Sequence, residues 1–84
     1  MVEIIIYSTQ VCPYCVKAKQ LLSAKGATFR EIDISRDPTL VEEARTRSGG
    51  RKTVPQIFIG DLHVGGCDEL FALDAAGKLD ELLG

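Results

Sequence analysis

The 84-residue chain predicts an α/β fold, a four-stranded mixed sheet flanked by helices in the order βαβαββα. An Ile-rich run over residues 2–7 followed by helical periodicity over residues 13–25 is the start of a strand-helix-strand unit. Further on, the apolar run Gln56-Ile57-Phe58-Ile59 is turned by Gly60-Asp61 into Leu62-His63-Val64, the pattern of a β-hairpin. Length adds a bound. A chain this short buries only about 60% of its unfolded surface, so residues 1–84 read as one domain with one core.

The first run, Val2-Glu3-Ile4-Ile5-Ile6-Tyr7, has no basic leader or small-residue cleavage site and is far below a membrane-spanning length. It reads as a buried strand of a cytoplasmic protein. Cys15, Ala18, Leu21 and Leu22 then recur at helical spacing, with Pro13 at the first helical position and Gly26 as the stop. Residues 28–34 form the second strand, in which Arg30, Glu31 and Asp33 place one face or edge in water. Asp37-Pro38 opens a second helix through Leu40, Val41 and Ala44, and Ser48-Gly49-Gly50 ends it. After the hairpin, Gly65-Gly66 leads into a third helix near Cys67-Asp68, and Leu79, Leu82 and Leu83 pack as a last helical turn or two. A helical crossover between the first two strands makes them parallel, with a right-handed connection.

Composition narrows the function. The net charge of −2 gives no general pull toward nucleic acid or an anionic membrane, and neither is expected as a partner. Residues 17–52 carry nine basic and five acidic side chains, whereas from Asp61 onward there are six acidic and one basic. The middle of the chain therefore suits a small anion or an acidic protein face, although solvated helix faces explain most of these charges equally well. Three cysteines, two of them only three residues apart, do not resemble the even framework of a secreted disulfide scaffold; they point to redox or metal chemistry.

Cys12-Pro13-Tyr14-Cys15 sits at the first strand-to-helix junction, the thioredoxin-like placement of a Cys-x-x-Cys pair. Sulfurs three residues apart on a helix approach bonding distance across the first turn and can cycle between dithiol and disulfide. Cys12 precedes the helix and can accept hydrogen bonds from the amides of Tyr14 and Cys15, so it is the expected thiolate. An ordinary thiol of pKa about 8.5 is only about 3% ionised at neutral pH. Lowering it by about three units requires about 4 kcal/mol. The helix dipole supplies about 0.3–1 kcal/mol, up to about 2, so amide hydrogen bonds must supply much of the rest.

Four runs resemble the glutaredoxin family across essentially the whole chain: Cys12-Pro13-Tyr14-Cys15 after an Ile-rich strand, Thr53-Val54-Pro55-Gln56-Ile57-Phe58-Ile59, the hairpin, and Gly65-Gly66-Cys67-Asp68. They look like a short bacterial dithiol glutaredoxin; a thioredoxin would be expected to carry a Trp beside Cys-Gly-Pro-Cys, and this chain has no Trp. The resemblance implies a thioredoxin-like fold and catalytic Cys12 and Cys15. It also implies glutathione as co-substrate, with no metal, and a monomer acting on glutathionylated or disulfide-containing proteins. Tyr14, Thr53, Val54, Pro55, Gly66, Cys67 and Asp68 are the implied glutathione-binding residues. Pro55 is implied to be cis and to face the cysteines, the Val54 backbone to pair with the glutathione cysteine, and the start of the third helix to meet the γ-glutamyl carboxylate.

Without the resemblance, Thr53-Val54-Pro55 reads as a turn into a strand, Asp68 as a helix cap, Tyr14 as a packing aromatic and Cys67 as a bystander. Within the resemblance, Arg45, Arg47, Arg51 and Lys52 are all candidates for the glycine carboxylate of glutathione. The chain departs from many relatives at Thr9, where they carry Lys three residues before the nucleophile; this position is expected beside the glutathione site.

Three alternatives share the cysteine pair. One is a redoxin reduced by thioredoxin reductase, and another is a carrier holding an iron-sulfur cluster between two chains. The third is a zinc module in which His63 and Cys67 complete four ligands with Cys12 and Cys15. Against zinc, His63 alternates with Leu62 and Val64 and reads as a surface residue on the opposite sheet face.

Overall fold

The computed structural model describes residues 3–83; Val2, assigned above to the first strand, and the outer ends of the expected 1–84 domain lie outside them. Strands β1 (Ile4–Ser8), β2 (Arg30–Asp33), β3 (Gln56–Ile59) and β4 (Leu62–Gly65) form one sheet in the order β2-β1-β3-β4. β1 pairs with β2 in parallel across helix α1 (Pro13–Ala24), whereas β3 is antiparallel to both β1 and β4. This is the expected mixed sheet. β2 lies at its edge, which accounts for the charged Arg30 and Glu31.

Strand alternation divides the apolar residues between two faces. Ile4 and Ile6 of β1 and Ile57 and Ile59 of β3 meet Ala18 and Leu22 of α1, together with Leu70 of helix α3 (Cys67–Ala75) and Leu79 of helix α4 (Lys78–Leu83). Each such fully buried Ile or Leu contributes about 1.5–3 kcal/mol relative to exposure. The opposite face carries Tyr7 and Phe58, covered by Ala44 of helix α2 (Pro38–Arg47). There the buried Tyr7 hydroxyl donates to Glu43 Oε2 at 2.8 Å and accepts from Arg47 at 2.9 Å.

Local signals set most boundaries. The Asp37 side chain accepts from the Thr39 amide at 2.8 Å and caps α2, with Pro38 at its first turn. Gly26 adopts φ 73° just beyond α1, a left-handed conformation that stops the helix at low steric cost.

Two boundaries differ from the sequence reading. The second strand is shorter than residues 28–34, because Asp33 turns its carboxylate onto the Ser35 amide at 2.9 Å and Ile34–Arg36 becomes a 3-10 turn. The C-terminal segment is a separate helix, one element more than βαβαββα, since Gly77 at φ 75° interrupts the path from α3. Lys25 ties this end to α1 through Asp74 at 2.6 Å and Asp80 at 3.1 Å.

Glu31 joins the edge strand to α1: it accepts from Lys19 at 2.8 Å and from the Ser8 hydroxyl at 2.6 Å. These bonds, Lys19 first, hold its carboxyl below its ordinary value; the bonds from Ser35 and Thr39 do the same for Asp33 and Asp37. A depressed carboxyl pKa adds stability above the unfolded value, and that stability disappears as pH falls through the folded value. Urea midpoints should therefore decline as the pH falls below the ordinary Glu value of 4.5, and Glu31→Gln should show a smaller decline than wild type. Identical acid profiles would remove Glu31 from this linkage.

Candidate active site

Cys12 is reached from β1 through Thr9-Gln10-Val11 and lies in extended backbone (φ −150°, ψ 97°) as the N-cap of α1. Pro13 is pre-set for the first helical position and has no amide to satisfy. The Cys15 amide donates to Cys12 Sγ at 3.1 Å, so the sulfur takes the place of a capping oxygen. One of the two expected amide donors to that sulfur is thus Cys15. Cys12 and Cys15 are joined in a disulfide with Cα atoms 5.2 Å apart. Cys12 is 9% exposed and Cys15 1%. Cys12 is thus the more accessible of the pair, with Cys15 sealed beneath it.

The segment before β3 faces this pair. Cys12 Sγ lies 3.9 Å from the Val54 carbonyl oxygen, and the Val54-Pro55 peptide is cis. Val54 precedes the ladder, whose last β1 partner is Gln56 opposite Tyr7, so its backbone lies outside the sheet pairing. A cleft of about 200 Å³ opens here. Tyr14, Thr53, Val54, Pro55, Gly66, Cys67 and Asp68, separated by up to 54 positions in sequence, all line it.

Arg51 and Glu69 complete the lining. Gly66, not Asp68, is the N-cap of α3, and the Glu69 side chain reaches back to accept from the Gly66 amide at 2.7 Å. Glu69 also accepts from Arg51 at 3.1 Å, and these partners, the Gly66 amide first, hold its carboxyl below its ordinary value. Gly65, at φ 111°, lies against that carboxylate, and a Cβ at this position would run into it. The left-handed backbone at this position favours glycine. Sequence reasoning missed Glu69, although its place three residues after Gly66 is capping-box spacing.

The fold separates the basic candidates. Arg47 lies over the Phe58 ring at 4.5 Å and donates to Tyr7, and Arg45 approaches Glu42 at 3.5 Å. Arg51 alone of the four lines the cleft. Thr9 is not among its lining residues; it borders a second cleft with Gln10, Lys19, Glu31 and Asp33. His63 does lie on the face opposite Val64, but it is half-buried rather than a simple surface residue, stacked on Phe58 and bonded to Gln56 at 2.8 Å. Among the described residues no three His, Cys, Asp or Glu side chains are grouped to hold a metal ion, and no helix is long and apolar enough to cross a membrane.

Comparison with known proteins gives a consistent result. The glutaredoxin family model matches residues 4–64. A glutaredoxin of Pseudomonas aeruginosa is 55% identical over 83 residues, covering 99% of this chain and 98% of the relative. The solution structure of glutaredoxin from Brucella melitensis superposes with a TM-score of 0.87 at 60% identity, over 99% of this chain and 89% of that one. A buckwheat glutaredoxin-glutathione complex gives a TM-score of 0.87 at 31% identity, over 98% and 76% of the two chains.

The third cysteine is distinguished by its surroundings. Burial, followed by the nearby Asp68 carboxylate, pushes the Cys67 thiol above its ordinary value. In the reduced protein, iodoacetamide at neutral pH should label Cys12 first, with Cys67 labelling becoming fast only in alkaline solution. Peptide mapping by mass spectrometry reads the order; equal rates at neutral pH would contradict this assignment.

Proposed function

Because the chain belongs to the glutaredoxin family and is a thiol-disulfide oxidoreductase, we propose that its electron donor is glutathione and its substrates are protein-glutathione mixed disulfides and protein disulfides. The observation that carries the reading is convergence. The seven residues implied to bind glutathione line one cleft, and the Cys12 sulfur stands 3.9 Å from the Val54 carbonyl on its wall. The buckwheat complex supports the same ligand class.

In this proposal the glutathione cysteine pairs with the Val54 backbone as an added strand would, which sets its sulfur before Cys12. The γ-glutamyl carboxylate meets the start of α3 at Cys67 and Asp68, where first-turn amides and the positive dipole end favour an anion. Arg51 supplies a cation to a ligand carboxylate in the cleft, and Tyr14, 58% exposed, forms its mouth. The protein works in the cytoplasm as a single-domain monomer.

The Cys12 thiolate attacks the glutathione sulfur of a mixed disulfide. A Cys12-glutathione disulfide forms as the original disulfide breaks, and the departing protein thiolate takes a proton. A second glutathione thiolate attacks the glutathione sulfur on Cys12, releasing oxidised glutathione and regenerating the Cys12 thiolate. With a protein disulfide, Cys12 attacks and Cys15 displaces the substrate, leaving the Cys12-Cys15 disulfide and a reduced protein dithiol. Two glutathione molecules then return the two electrons.

Cys12→Ser should abolish glutathione-coupled reduction of a glutathionylated peptide, whereas Cys15→Ser should retain it, because free glutathione clears the intermediate. Reduction of a protein disulfide should fall in both variants. A coupled spectrophotometric assay separates the routes, and substantial mixed-disulfide activity in Cys12→Ser would overturn the proposal.

A further inference from the structure

Gln56, the first residue of β3, is 1% exposed. A buried side-chain amide is costly to leave without partners, so its bonds identify what it is there to hold. Its Nε2 donates to the Thr53 carbonyl oxygen at 3.0 Å and to Thr53 Oγ1 at 3.2 Å. Its Oε1 lies 2.8 Å from His63 Nε2 on β4.

The direction of this chain of bonds is fixed by what each atom can do. A carbonyl oxygen only accepts, so the Gln56 NH₂ must face Thr53. Gln56 Oε1 then faces His63, and His63 Nε2 must carry the hydrogen. The ring is held in place by stacking on Phe58, with centroids 4.8 Å apart and planes at 24°.

The Thr53 carbonyl and the Val54 N–H are opposite ends of one planar peptide. Only the following bond, Val54-Pro55, is cis, so in the trans Thr53-Val54 peptide the N–H points opposite to the carbonyl. Holding the Thr53 oxygen on Gln56 therefore directs the Val54 N–H away from Gln56. We infer that His63 and Gln56 are positioning residues, a relay from β4 that fixes the Thr53-Val54 peptide plane and so presents the Val54 amide to the glutathione moiety of the substrate. The inference rests on the glutathione reading above. It assigns to the hairpin histidine a part in substrate recognition without contact with the substrate.

The test compares His63→Phe, which keeps an aromatic ring against Phe58 and loses the donor, with His63→Gln, whose amide nitrogen can replace Nε2. For a glutathionylated peptide, His63→Phe should raise KM about fivefold to tenfold while kcat stays within about twofold, because ground-state and transition-state pairing are lost together. His63→Gln should recover KM to within about threefold of wild type by restoring one neutral hydrogen bond. Nitrogen-15 shifts of the wild-type ring should show Nε2 protonated. A wild-type KM in His63→Phe, no recovery in His63→Gln, or the lone proton of the neutral ring on Nδ1 would each overturn the relay. If His63→Phe does not fold, the His63→Gln constant and the wild-type tautomer still decide. Failure of the wild type to turn over the glutathionylated peptide would count against the glutathione reading, whereas the ring tautomer tests the relay without any substrate.

Discussion

The site depends on one sulfur held where a strand ends and a helix begins. Cys12 closes the path from β1 and caps α1, so its sulfur occupies the position in which the Cys15 amide, 3.1 Å away, and the first-turn dipole act on it together. The capping geometry also orders the pair. It leaves Cys12, at 9%, more accessible than Cys15, at 1%, and draws Cys15 into the helix beneath, the order that the proposed attack and resolution require. Neither assignment follows from the Cys-x-x-Cys spacing alone.

Everything else brings complementary groups to that sulfur. The antiparallel β1-β3 register, with Tyr7 opposite Gln56, delivers Thr53-Val54-Pro55 beside Cys12, and the hairpin returns the chain so that α3 starts at the same cleft. Two acidic side chains, Asp68 and Glu69, stand where the proposed ligand is anionic. The arrangement is workable because Glu69 is held by the Gly66 amide and Arg51, and the following amides of α3 remain the polar groups of its first turn. On the other sheet face, Tyr7, Arg47, Phe58 and His63 form a polar-aromatic layer. That layer reaches the cleft through Gln56 and Thr53.

Periodicity made the strands and the first two helices legible, since Ile4, Ile6, Ala18, Leu22, Ile57 and Ile59 repeat on one face and converge in one core. The two cysteines were legible because a helix start changes sulfur chemistry whatever the tertiary context. The rest depended on placement. Asp33 shortens β2 by a side-chain bond that competes with the ladder, and Gly77 separates α4 through a backbone angle, neither of which a hydrophobic pattern records. The choice of Arg51 from four basic residues, the second cleft beside Thr9, and the engagement of His63 all rest on which elements meet in space. Glu69 was the exception, since its capping-box spacing stood in the sequence unread.

All of this requires the start of α1 to stabilise the Cys12 thiolate. The most direct measurement is the ultraviolet thiolate titration of reduced protein carrying Cys15→Ser and Cys67→Ser, which leaves one sulfur to ionise. The expected apparent pKa lies within the range of about 3.5–7.5 found for cysteines at helix starts. A value at or above the ordinary thiol value of about 8.5 would contradict it, because burial would then outweigh the amide and dipole at Cys12.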